Sequence, residues 1–238
     1  AYALELRDGS SDNEVIGNRM VDLGGGGVRV GGGEGVPRRN VVADNVISDG
    51  GLDHFSALGV WAGITDATVI QGNVIRRFGY TGVSVGWRWD ATPTACRANV
   101  VAHNHIHHVM LDLADGGGIY TLGFQPDPVL RGNHIHDVAR GALAGRAPNN
   151  GIFFDQGSKG VLVEGNRIHE TAGEPVRFHQ SKKDWHTWRD NHLGMPPAPG
   201  EGPAAVLRPE WAHLEDGLPE VPAPPLRRMR APSGSGAR

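Results

Sequence analysis

An asparagine returns about every thirty residues along this chain, each time in the same apolar setting. The stretches are "VIGNRM", "VVADNVI", "VIQGNVI", "VVAHNHI", "VLRGNHI" and "VLVEGNRI". They place Asn18, Asn45, Asn73, Asn104, Asn133 and Asn166, with a weaker copy at Asn191 in "WRDNHLG". The intervals are 27, 28, 31, 29, 33 and 25 residues. A fixed period of this length marks a stacked repeat, because one such unit is too small to bury a core alone.

Each repeat carries a second anchor, a glycine that opens a short alternating strand. The copies are "GVRVG", "GVWAG", "GVSVG", "GIYTLG" and "GIFFDQG", from Gly27, Gly59, Gly82, Gly118 and Gly151; "PVRFHQ" stands in the same place from Pro175. At least two strands per repeat, joined by turns, predict an all-β right-handed parallel β-helix of about six to seven coils. Equivalent strands then pair ~4.8 Å apart up the stack. The asparagines would form a ladder at one corner and hold the fold without doing chemistry. A propeller blade needs a longer repeat, and leucine-rich repeats need a leucine framework that is missing.

Strand alternation sorts the second anchor into two faces. Val28, Val30, Val60, Val83, Val85, Ile119, Ile152 and Phe154 should face the core. Arg29, Trp61, Ser84, Tyr120, Phe153 and Arg177 should form a row on the outside, with Asp155 and His179 one step further along. Aromatics in an outer row beside polar groups suit a sugar-binding groove, since pyranose rings stack on flat apolar faces. Inserted loops flank the row: Trp87 and Trp89 lie in "GWRWDATPTACRAN", and Asp112 and Asp115 in "LDLADGGG". Gly116 to Gly118 are read as a tight turn that leaves ligand space beside Asp115.

Composition narrows the function. Glycine is abundant at 36 residues, which fits short strands and turns, and no amphipathic helix is visible. The net charge of −3 gives no electrostatic footprint for nucleic acid. No apolar run is long enough to span a membrane. Cys96 is the single cysteine, so neither an internal disulfide nor a cysteine metal site can form.

Taken in order, "GVSVGWRW", "NHIHHVMLDLADGGGIYTLG", "VLRGNHIHDV", "GIFFDQGSKGVLVEGNRIHE" and "VRFHQ" resemble the β-helix proteins of glycoside hydrolase family 141 over residues 60 to 195. The resemblance implies an α-L-fucosidase- or xylanase-like enzyme acting on a polysaccharide, with a secreted or periplasmic location. Its two candidate catalytic aspartates fall on Asp115 and Asp155, and Trp61, Trp87, Trp89, Tyr120, Phe153, Arg177 and His179 become candidate substrate contacts. Straight strands would set the two aspartates about 20 Å apart at ~3.3 Å per residue. That exceeds the ~6.5–9.5 Å of inverting enzymes. The Asp115 loop must therefore fold over the groove, or Asp90 or His179 must serve as partner. A polysaccharide lyase or epimerase and a non-catalytic carbohydrate-binding solenoid are the alternatives.

No cofactor and no metal are expected. "HNHIHH" places His103, His105 and His107 on one strand face, continued by His136 and His169, which reads as a polar surface ladder rather than a metal site. The chain opens mid-coil at "AYALEL", so further N-terminal coils of a longer solenoid are expected before it. Residues 1–195 are assigned to the β-helix and 196–226 to an irregular proline-rich segment packed on its side through Trp211 and Leu214. Residues 227–238 are assigned to a disordered tail.

Overall fold

The computed structural model describes residues 1–142, 144–196, 198 and 209–218. The tail from 227 to 238 and most of the irregular segment lie outside the described residues. Three parallel sheets of seven strands each wrap around one core. The first sheet stacks Tyr2–Leu6, Gly26–Val30, Val60–Ala62, Val83–Val85, Gly117–Thr121, Asn150–Phe154 and Val176–Phe178. The second runs from Glu14–Ile16 to Thr187–Arg189, and the third from Arg19–Val21 to His192–Leu193. Each coil gives one strand to each sheet, so the chain is a parallel β-helix. No helix among the described residues is long and apolar enough to cross a membrane.

The asparagines stand at the corner between the second and third sheets. Each Oδ1 accepts from the backbone N–H and the Nδ2 of the asparagine one coil earlier. Asn73, for example, donates twice to Asn104 Oδ1, at 3.0 and 2.9 Å. The ladder runs unbroken from Asn18 to Asn191. The residue before each rung has a positive φ, between 48° and 66°, and is Gly17, Asp44, Gly72, His103, Gly132, Gly165 or Asp190. These types tolerate the left-handed conformation that makes the corner sharp. His103 is such a corner residue, exposed and outside the strand, so it does not share a face with His105 and His107. A second, shorter set, in which Asn13 bonds Asn40 and Thr68 bonds Asn99, holds another corner; the sequence reading had not resolved it.

The strand-opening glycines have a packing cause. A Cβ on Gly27, Gly59, Gly82, Gly118 or Gly151 would overlap Cγ2 of Ile47, Ile75, Ile106, Ile135 or Ile168 in turn. A column of fully buried isoleucines on the third sheet thus fills the space above a column of glycines on the first. The triple glycine of residues 116–118 follows the same rule and corrects the expectation of a tight turn with ligand space. None of the three has a positive φ. Gly116 is closed in by Thr81 and Met110, Gly117 by the Asn150 carbonyl and Gly118 by Ile135.

The segment Pro209–Glu215 forms a 3-10 helix. Trp211, Leu214 and Leu218 pack on Val46 and Val74, on the outer face of the third sheet. Arg19 Nη1 donates to the Leu214 and Asp216 carbonyls, at 2.7 and 3.0 Å.

Candidate active site on the first sheet

The outer row keeps register through six coils. Arg29 pairs with Trp61, Trp61 with Ser84, Ser84 with Tyr120, Tyr120 with Phe153 and Phe153 with Arg177. Alternation placed these side chains outside, yet several are covered. Trp61 is 8% exposed and Phe153 only 1%. The cover comes from the row itself. Arg29 lies over the Trp61 ring at 4.8 Å and Arg177 over Phe153 at 4.0 Å, both cation–π geometries. Tyr120 meets Phe153 edge-on with centroids 5.2 Å apart. The inserted loop adds a stack, Trp61 against Trp87 at 5.5 Å and Trp87 against Trp89 at 4.9 Å. Trp87 and Trp89 are the open faces of this wall, 44% and 54% exposed.

Asp155 follows the strand Asn150–Phe154 and turns outward. Both of its oxygens accept. The Tyr120 hydroxyl donates to Oδ2 at 2.5 Å, and His179 Nδ1 sits 2.7 Å from Oδ1. These two side chains shield the carboxylate, whose own side chain is mostly buried while His179 remains open to solvent. Burial first, then the hydrogen bond to Asp155, pushes the Tyr120 phenol far up, so it stays a protonated donor.

Asp115 lies at the other end of the wall. Its Oδ1 accepts from Arg177 Nη1 at 2.8 Å, and its carbonyl accepts from the Tyr80 hydroxyl at 3.0 Å. Arg177 therefore pairs with Asp115. Extending the register of Tyr120 with Phe153, Asp115 stands opposite Pro148, and Asp155 lies seven residues beyond (155 − 148 = 7). The chain is not straight there, because Asp115 has a φ of +66°. Both carboxylates act on both phenols: Tyr80 is raised by burial, then Asp115 and Asp155, and Tyr120 feels the same two charges. The two acids share one electrostatic neighbourhood across this wall.

Tyr80 is the residue the sequence reading missed. A usable signal was its place two residues before Gly82, alongside the inserted Asp115 loop of the next coil. Asp90 is exposed and engaged by Arg88 at 2.9 Å, which holds its carboxyl well below the usual range. It does not reach the Asp155 group through any hydrogen bond in the described residues.

No curated protein matches the chain. A solved structure named as a glycoside hydrolase superposes with a TM-score of 0.76 at 22% sequence identity, covering 88% of this chain and 37% of its own. At that identity the likeness is one of fold, and this chain spans little more than a third of that protein. The family model of the right handed beta helix region matches residues 1–192. With three continuous parallel sheets and an unbroken asparagine corner over the same span, the chain belongs to the right-handed β-helix family.

Proposed function

We propose that the chain is a glycoside hydrolase that cleaves a polysaccharide on the outer wall of the first sheet, with Asp115 and Asp155 as its catalytic pair. The observation that carries this reading is the clustering of Asp155, Tyr120 and His179 beside an in-register aromatic row that ends at the open Trp87 and Trp89 faces. Glycoside hydrolysis needs one carboxyl to protonate the leaving oxygen and one to act as nucleophile or base. Both acids are engaged by donors, Asp155 by Tyr120 and His179 and Asp115 by Arg177, so either can take either task. Trp87 and Trp89 offer stacking surfaces for sugar rings, and Arg177, stacked on Phe153, aligns Asp115. The neighbour of like fold is itself named a glycoside hydrolase. An α-L-fucosidase- or xylanase-like specificity, and a secreted or periplasmic location, are the finer parts of this proposal.

One observation favours a second reading. The solvent-facing end of the Asp155 group is an imidazole, and Arg177 stands on the same wall. A lyase or epimerase needs a base at the sugar α-carbon and a cation beside the uronate. The test is a glycan panel containing fucosylated glycans, xylans and uronate polymers, run with the chain and its Asp155→Asn and Asp115→Asn variants. Reducing ends released by the chain and lost in both variants support hydrolysis. Unsaturated, ultraviolet-absorbing products would replace it with the lyase reading. Sugar binding with no product from any glycan would reduce the wall to a binding surface.

A further inference from the structure

We propose that the outer face of the third sheet carries a site for one divalent transition-metal ion, held by the imidazoles of His105, His134 and His136. Register brings them together: His105 pairs with His134 and His107 with His136 on adjacent strands, and His169 continues the second column. The ring nitrogens of His105, His134 and His136 lie within 4.8 Å of one another, as do those of His136 and His169 with a Glu170 oxygen. His105 Nε2 is 2.8 Å from His136 Nε2, and His134 Nε2 is 2.9 Å from His169 Nε2.

The neighbouring carboxylates fix the tautomers. His136 Nδ1 sits 2.6 Å from Asp137 Oδ2, and His169 Nδ1 is 3.1 Å from Glu170 Oε2. Each of these rings therefore carries its proton on Nδ1 and turns a bare Nε2 lone pair into the cluster. A carboxylate behind a ligating imidazole is the usual support of a metal site. In the metal-free form the Nε2 protons of His105 and His134 fill the gap between the paired rings. Binding moves each to Nδ1 of its own ring. Ligand distances of ~2.0–2.1 Å require tetrahedral nitrogens to stand ~3.3 Å apart; the 2.8 Å pair of His105 and His136 is near that spacing, whereas His134, stacked on His105 with ring centroids 5.1 Å apart, must turn to reach the ion. Imidazoles backed by carboxylates suit zinc, nickel or copper, and not magnesium or calcium.

A purely structural ladder explains less. At the register of His105 and His134, the two preceding coils carry Val46 and Val74, closed off by Trp211. The chain had that apolar solution and abandons it for buried imidazoles, and the buried Nδ1 of His134 has no hydrogen-bond partner. This site lies on a different sheet from Asp155 and does not depend on the proposed hydrolase.

The test uses the chain without a histidine tag, stripped with chelator and titrated with zinc by calorimetry, with cobalt absorption as a second readout. One ion per chain is expected, with the visible spectrum of a nitrogen-ligated cobalt ion. His105→Gln combined with His136→Gln should abolish stoichiometric binding. Asp137→Asn should weaken it about 10–100-fold, since it removes only the support of His136. His103→Gln, at an exposed corner, should change nothing. Absence of stoichiometric zinc in the folded wild-type chain overturns the proposal, and so does a double variant that keeps its circular dichroism spectrum and binds as tightly as before.

Discussion

Replacing Asn104 by alanine tests the asparagine corner at a fully buried rung. The side chain takes part in four hydrogen bonds: two accepted from Asn73, one given to the Ile70 carbonyl at 2.9 Å and one to Asn133 Oδ1 at 3.0 Å. Not all the partners are stranded by its loss. Asn73 Nδ2 keeps the Val42 carbonyl, and Asn133 Oδ1 keeps the Asn104 backbone N–H. The Asn73 backbone N–H loses its partner while buried. One orphaned donor costs ~1–3 kcal/mol and three lost net hydrogen bonds ~0.5–1.5 kcal/mol each, giving about 2.5–7.5 kcal/mol. Asn18→Ala is the control. Asn18 ends the ladder, and its Nδ2 gives up only the Ile16 carbonyl and a bond to Asn45 Oδ1, which still accepts from the Asn18 backbone. That loss is about 1 kcal/mol. Urea unfolding followed by circular dichroism should lower the midpoint for Asn104→Ala by ~1–2.5 M at a slope of ~3 kcal/mol/M. The shift for Asn18→Ala should be a few tenths. Asn104→Asp should be no better than alanine, because its second oxygen would face the Ile70 carbonyl and Asn133 Oδ1. Equal midpoints for Asn104→Ala and Asn18→Ala would refute the ladder as a source of stability.

Gly118→Ala should destabilise by about 1–3 kcal/mol through overlap with Ile135, whereas Gly145→Ala, with open space around it, should be neutral in the same denaturation assay. Tyr120→Phe removes the donor to Asp155 Oδ2 and should cost about 1.5–3 kcal/mol in unfolding free energy. If Asp155 is catalytic, it should also lower kcat more than it raises KM; unchanged kcat would remove Tyr120 from the reaction. Trp87→Ala and Trp89→Ala should weaken oligosaccharide binding by calorimetry about tenfold each with little change in Tm, since both rings are largely exposed. His186 is buried between Phe154 and Trp188, and burial lowers it from 6.5 to about 4. The unfolded chain then binds the extra proton first, so stability is complete above pH ~6.5 and falls as pH drops towards 4, by roughly 3 kcal/mol at ~1.36 kcal/mol per pH unit. His186→Phe should flatten that part of the Tm–pH curve, and an unaltered slope would assign the acid loss elsewhere.

The parts of this fold that were legible in the sequence are those that repeat once per coil. A buried amide needs the same partner in every turn, so Asn45, Asn73, Asn104, Asn133 and Asn166 recur visibly. The outer row from Arg29 to Arg177 followed from two-residue alternation, because pleat direction depends only on position along a strand. The glycine column was visible but its cause was not. The answer sat two residues after each asparagine, in Ile47, Ile75, Ile106, Ile135 and Ile168, yet linking the two columns requires knowing that the first and third sheets face each other there. His103 misled because alternation assumes an extended chain, and a left-handed corner residue breaks the count.

What alternation cannot supply is where a long side chain goes after leaving the strand. Arg177 belongs by register beside Phe153, and it does lie on that ring. Its guanidinium, however, also reaches back to a carboxylate 62 residues earlier in sequence. Tyr120 likewise starts level with Phe153 and ends at Asp155, two residues further along the neighbouring strand. These two reaches run in opposite directions from one rung of the wall. They bring Arg177 to Asp115 and Tyr120 to Asp155 towards opposite ends of one wall, linked by the Phe153 ring on which Arg177 lies and which Tyr120 meets edge-on. A site of this kind is therefore sensitive to side-chain length more than to charge. Arg177→Lys preserves the charge but cannot stack flat on Phe153 and bond Asp115 at once. It should disable the wall nearly as fully as Arg177→Ala in the glycan assay. A fully active Arg177→Lys variant would show that Asp115 is not positioned by this contact.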